Sequence, residues 1–133
     1  MAVSAYLKDL ILNHVLTSST TPFVTTTVTY MSLHTADPTQ TGTGSPLASC
    51  GRFLVHMGAA ASATAAVDAT ASVVTSASGT ISHWGLWDGS ATATANHLWN
   101  STLSTTKNVN VGDNYNRGSG DPIDDYSVEC DKC

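Results

Sequence analysis

The stretch ISHWGLWDGS, residues 81–90, gathers more chemistry than any other part of the chain. His83 and Asp88 lie five positions apart, and a carboxylate orienting an imidazole is the usual design of a general base. A regular strand sends successive side chains to opposite faces. Ile81, His83, Gly85 and Trp87 would then share one face, and Ser82, Trp84, Leu86 and Asp88 the other. That divides His83 from Asp88, and no nucleophile is placed to complete a catalytic set. Both faces are largely apolar, as expected of a strand covered on both sides. Gly85 lets a neighbouring ring or backbone come close, and Asp88-Gly89 supplies turn chemistry. The segment therefore reads as packed strand. Trp84, Gly85, Leu86 and Trp87 are the candidate structural residues, with Leu98 and Trp99 from the strand that follows. A small hydrolase using the His83 region is the distant alternative.

Two further spacings suggest chemistry. Ser104-Thr-Thr-Lys107 matches the S-x-x-K of penicillin-recognising enzymes. The companion motifs are missing and the segment reads as a turn into a strand, so the match is chance in a Ser/Thr-rich chain. Cys130-Asp-Lys-Cys133 has the spacing of half a zinc knuckle. A structural zinc site takes four ligands, Cys50 stands alone, and no two histidines have a paired spacing. Redox use of a C-x-x-C needs a helix N-terminus, which this pair lacks. The expectation is reduced thiols in an exposed tail, with interchain disulfides as the weaker alternative, and neither a metal nor a cofactor.

The elements that must position these residues begin with a helix over 4–16. Leu7, Leu10, Ile11, His14 and Val15 recur at helical spacing, and Ser4 can cap the start. That stripe is expected to be core, with His14 at its edge as a hydrogen-bonded structural histidine. Strands are expected over Phe23–Leu33, Arg52–Met57, Val67–Val73, Ile81–Trp87, His97–Ser101 and Lys107–Val111. Phe53, Val55 and Met57 alternate against Arg52, Leu54 and His56. Pro38, Gly42, Gly44 and Pro46 make "HTADPTQTGTGSP" a long turn region, and "GAAASATA" reads as loop or strand edge. The pattern predicts a mainly β fold: one N-terminal helix, then an antiparallel β-sandwich or jelly-roll-like double sheet. No strand–helix alternation and no Gly-rich nucleotide loop appears.

The chain has 133 residues, which suits one domain. Only 11 % of them are charged, so the surface must be wetted largely by hydroxyls and amides, and self-association is favoured. The five Lys and Arg are scattered, which argues against nucleic acid as a partner. No apolar run is long enough to span a bilayer and no leader pattern opens the sequence, so no membrane association is expected. Much of the formal charge of -5 comes from the C-terminus, where Asp121, Asp124, Asp125, Glu129 and Asp131 cluster. The division expected is a helix-plus-sandwich domain over 1–117 and an acidic arm over 118–133. In the arm Ile123, Asp124, Asp125, Tyr126 and Val128 are candidate partner contacts.

Taken together the residues resemble small virion proteins of tailed bacteriophages, a family often labelled tail fibre or minor structural proteins. The likeness runs from about residue 4 to 116. It rests on Tyr6, Leu7, Leu10 and His14 in the helix, on "YMSLHTADPTQTGTG" at 30–44, on "GRFLVHMGAAA", on "ISHWGLWDGS", and on "HLWNSTLSTTKNVNVGDNYN". "LHTADPT" and "GLWD" are its most specific parts. The ending "RGSGDPIDDYSVECDKC" departs from the alternating apolar strand that closes family members. The resemblance implies a non-enzymatic virion protein, assembled in the host bacterial cytoplasm. The expected partners are itself, as a homotrimer, and other virion proteins such as the major capsid or tail proteins. An exterior capsid cement or decoration role is the first expectation, and a tail fibre or baseplate component the alternative.

Overall fold

The structure is a computed structural model, which describes residues 2–16, 28–48, 50–59 and 65–118. Seven strands and one helix follow in the order β1 (Ala2–Val3), α1 (Ala5–Leu16), β2 (Thr29–His34), β3 (Phe53–Val55), β4 (Ala71–Val74), β5 (Gly79–Trp87), β6 (His97–Val109) and β7 (Asn114–Arg117). Five strands form one sheet in the order β1-β6-β5-β2-β3, and β4 pairs with β7 in a second. All pairings are antiparallel. The molecule is mainly β with one helix and a sandwich-like double sheet.

The core lies between the two sheets. Met31, Leu33, Phe53, Val55, Ile81, Trp84, Leu86, Leu103 and Val109 of the larger sheet meet Ala71 and Tyr115 of the smaller. Tyr115 meets Phe53 edge to face, with ring centroids 6.2 Å apart, a geometry that aromatic quadrupoles favour. The buried Arg117 guanidinium lies 5.5 Å from the Trp84 ring centroid. Strand β7, which sequence periodicity missed, therefore closes the core. Its residues, Asn-Tyr-Asn-Arg, carry a single apolar side chain, so they give no hydrophobic alternation to detect.

An irregularity in the β5–β6 pair corrects the expected pattern. Ile81 pairs with Lys107 but His83 with Thr102, so β6 inserts extra residues opposite Ser82. Two strands were expected here, over 97–101 and 107–111; they are one strand, His97–Val109, running through this bulge. The S-x-x-K spacing falls on it, in extended chain and not at a helix start. At this irregularity Ile81 lies in the core with Trp84 and Leu86, whereas strict alternation put it with Gly85 and Trp87.

Helix α1 starts as its sequence requires. Ser4 Oγ accepts from the Leu7 amide at 3.1 Å, and the Ser4 amide donates to Leu98 O at 3.0 Å, tying the helix start to β6. Its apolar stripe is not core. Leu7 and Leu10 are half-buried, Ile11 is 39 % exposed and Val15 70 %, and His14 is exposed on the last turn. The other strands depart less. Phe53 and Val55 point inward with Leu54 exposed, and Met57 bridges to Val67 outside a continuous strand. The strand expected from Val67 begins at Ala71. Residues 23–27 of the first expected strand and most of "GAAASATA" lie outside the described residues. No described helix is long and apolar enough to cross a membrane.

Candidate functional site

The outer face of the larger sheet carries a polar cluster that no single motif announced. Strands β2 and β5 pair so that Ser32 stands opposite Gly85 and His34 opposite His83. The Trp87 indole N–H donates to Ser32 Oγ at 2.8 Å, although the two are 55 positions apart. Ser32 Oγ also lies 2.7 Å from His34 Nε2, and His34 Nδ1 lies 2.7 Å from Gly44 O. A carbonyl can only accept, so Nδ1 carries the ring proton and Nε2 takes the serine hydroxyl. Gly85 makes room for this relay: a Cβ there would sit 2.9 Å from Ser32 Oγ and 3.3 Å from Trp87 Nε1.

The loop from Thr35 to Pro46 is pinned over this face by side chains of the sheet. His34 holds Gly44 O, His97 Nδ1 holds Gln40 O at 3.1 Å, and Asn100 Nδ2 donates to Thr39 O at 2.6 Å. These bonds give the loop carbonyls partners on the sheet, Thr39 O accepting the Gly42 amide as well. Gly42, at φ +76°, presses against His97 and Trp87, where an added Cβ would approach ring atoms to 2.6–2.7 Å. Burial lowers the pKa of both His34 and His97, with the accepting carbonyls opposing the shift. For His34 the neighbouring His97, His83 and Arg52 add to the lowering.

Arg52 completes the cluster. Its guanidinium carbon lies 3.4 Å from the centroid of the Trp87 ring, and Nη1 donates to Ala91 O at 2.7 Å and more weakly to Gly89 O at 3.4 Å. On Trp87's side the His97 ring sits at a centroid distance of 4.9 Å. A cleft of about 220 Å³ opens beside Arg52, with Ser32, His34, Thr43, Cys50 and Trp87 among its walls. Burial raises the Cys50 thiol pKa, against a bond from the Ser76 backbone, so the thiol is kept protonated and weakly nucleophilic.

The sequence candidates fall on both sides of the sheet. Trp84 (0 % exposed) and Leu86 (5 %) face the core, while Trp87 (4 %) sits in the outer cluster. Leu98 is buried and Trp99 packs half-buried against the core. His83 and Asp88 serve different contacts. Ser82 Oγ donates to Thr35 O at 2.8 Å, so its bond to His83 Nδ1, also 2.8 Å, must take the proton from the ring. Asp88 grips Asn96, accepting from its backbone N–H at 2.6 Å and from its side-chain amide at 2.8 Å, which closes the β5–β6 turn. Among the described residues no three His, Cys, Asp or Glu side chains are grouped to hold a metal ion. The arm contacts Ile123, Asp124, Asp125, Tyr126 and Val128, and the pair Cys130 and Cys133, lie outside the described residues.

A sequence profile described as podophage GP4 fiber I protein gp80 matches residues 2–121. The chain belongs to this family. The match takes in α1, both sheets and the pinned loop, and it ends inside the segment read as an acidic arm, leaving residues 122–133 beyond it. No curated protein matches the chain. Membership of this podophage fibre family makes the chain a phage structural protein and agrees with the resemblance drawn from "LHTADPT" and "GLWD".

Proposed function

We propose that the chain is a non-enzymatic structural component of a podophage tail fibre and that it acts as a homotrimer through protein–protein contacts. The observation that carries this is the family match across residues 2–121, whose family is a fibre protein. The polar chemistry of the outer face supports a structural role, since its serine, histidines and asparagine are used to hold a loop on the sheet. The apolar residues left exposed on α1, Leu12, Val15 and Leu16, support self-association, because copies related by closed symmetry would cover them without leaving a fibre-forming edge. The acidic arm from residue 118 onward is proposed to reach a basic patch on a neighbouring virion protein, with Ile123, Tyr126 and Val128 as its apolar anchors.

An exterior capsid cement is the second reading. It is favoured by the sequence, which has no heptad or shaft repeat and reads as a single domain. Removing the gene from the phage separates the two. The fibre reading expects DNA-filled, stable heads whose tails lack appendage density in negative stain and whose adsorption to the host falls. Fragile heads with complete tails would overturn it in favour of cement.

A further inference from the structure

The loop from Thr35 to Pro46 is built as a separate unit on the outer face. Its backbone bonds are largely its own: the Thr35 amide donates to Ser45 O at 2.9 Å across the neck, Gly44 to Pro38 O at 2.9 Å, and Gly42 to Thr39 O at 3.1 Å. The hydroxyls of Thr39, Thr41 and Thr43 follow one another at 3.0 Å, and Asp37 Oδ1 accepts from the Thr39 amide at 2.8 Å. No residue of the loop belongs to the hydrophobic core cluster. A compact loop with its ends together can move as a body about its neck. Ser45, at that neck, holds φ +43°, which L-residues rarely adopt, so the closed position carries backbone strain. Beyond the neck, the sheet side chains that bond to the loop among the described residues are His34, His97 and Asn100. We propose that the loop is an acid-operated latch: protons taken up by His34 and His97, the two rings beneath it, lift it from the sheet as a unit while the double sheet stays folded.

The proton acts through charge and not through a lost bond. An imidazolium keeps its Nδ1 proton, so His34 still donates to Gly44 O and His97 to Gln40 O. On His34 the added Nε2 proton points at Ser32 Oγ, which already accepts the Trp87 indole, and the serine hydroxyl is left with Gly85 O at 3.5 Å. Both rings are buried, and cations or ionisable bases face them from three sides. His34 meets His97 of β6, His83 of β5 and Arg52, the residue before β3; His97 meets Arg52. The carbonyls of Gly44 on His34, and of Gln40 and Trp99 on His97, oppose these effects without reversing them. Of the carboxylates at this face, Asp88 acts on Arg52 and is held by Asn96, and Asp37 is held by the Thr39 amide. The Cys50 thiol on the cleft wall stays neutral. Burial and like charge therefore keep both rings unprotonated under the closed loop, and water restores their basicity once it lifts. Below about pH 6.5 the open form takes up protons that the closed form refuses, so opening grows as pH falls, by up to about a hundredfold per pH unit for two rings.

Proton NMR of the full chain between pH 7.5 and 4.5 tests this. Cross-relaxation between Gly42 Hα and the rings of His97 and Trp87 reports the closed loop, and that between the Phe53 and Tyr115 rings reports the core. The first set should fade below about pH 6 while the second persists. In a His34→Asn, His97→Asn double variant the amides can donate where Nδ1 does but cannot take up a proton, so the loop should stay closed to pH 4.5. Should that variant fail to fold, Asn100→Ala removes an uncharged pin and leaves both histidines. If it eases opening about tenfold, it should raise the pH of opening by about half a unit. A loop that keeps its Gly42 contacts to pH 4.5 in the unmodified chain would overturn the proposal. So would loss of the Phe53–Tyr115 contact at the same pH, which is global unfolding, or opening of the double variant at the pH of the unmodified chain.

Discussion

At the level of single residues, the outer cluster is assembled from groups that are ordinary one by one. Trp84, Gly85 and Trp87 could be picked out of the sequence because aromatics and a glycine in one short strand restrict the packing. Ser32 and His34 could not, because their meaning comes from the β2–β5 pairing, which brings Ser32 to Trp87 across 55 positions, and Arg52 could not, because it reaches Trp87 from the residue before β3. The two loop glycines with positive φ make a sharp comparison. Gly42 and Gly112 have φ of +76° and +90°, but a Cβ at 42 meets His97 and Trp87 while one at 112 meets nothing within 4 Å. Gly112→Ala should cost only the left-handed backbone term of about 1–2 kcal/mol, and Gly42→Ala that term plus overpacking, about 2–5 kcal/mol in all. Urea unfolding of the two variants checks the ordering. The buried histidines set a pH dependence. Their folded pKa values lie below the ordinary value, so below about pH 6.5 the unfolded chain takes up protons that the folded one refuses. Stability is therefore full above that pH and falls as pH is lowered toward the folded values. Ring-proton NMR should show two histidines titrating below the free value, with the unfolding temperature lower at pH 5 than at pH 7.5; titration of His34 and His97 at or above the free value would contradict this.

The elements were legible where their periodicity was unbroken. The helix was found together with its Ser4 cap, and the cores of β2, β3 and β5 fell within segments expected to be strand. What periodicity could not show was the bulge opposite Ser82, because an inserted segment of Leu, Ser and Thr looks like a turn between two strands when read alone. At the same irregularity Ile81 lies on the core face, an outcome that alternation cannot give. Helix α1 shows the opposite limit: its apolar spacing is real, but spacing does not say what covers the face. Leu12 is 52 % exposed and Val15 70 %, so a Leu12→Ser, Val15→Ser variant should change stability by no more than about 0.5 kcal/mol per site. Sedimentation should at the same time show the proposed trimer replaced by monomer. A trimer that persists in this variant would remove α1 from the proposed contact.

For the whole molecule, the double sheet encloses one core, and the family match covers that core and its pinned loop. The broad reading, a mainly β phage structural protein, could be drawn from the sequence because low charge, abundant threonine and the "LHTADPT" and "GLWD" segments agree with one another. The acidic C-terminus carries the other proposed contact. A chain ending at residue 121, where the family match stops, should keep its unfolding temperature and lose incorporation into particles, and high salt should lower the full chain's incorporation toward that of the truncated one, as an electrostatic contact requires. Unfolding of that truncated chain would instead make the arm part of the core. The central claim, that this domain stands on the tail as a fibre component, is tested most directly by cryo-electron microscopy of particles labelled with an antibody fragment against residues 28–118. The fibre account expects label density on the tail appendages in a three-fold arrangement; label spread over the capsid faces would contradict it.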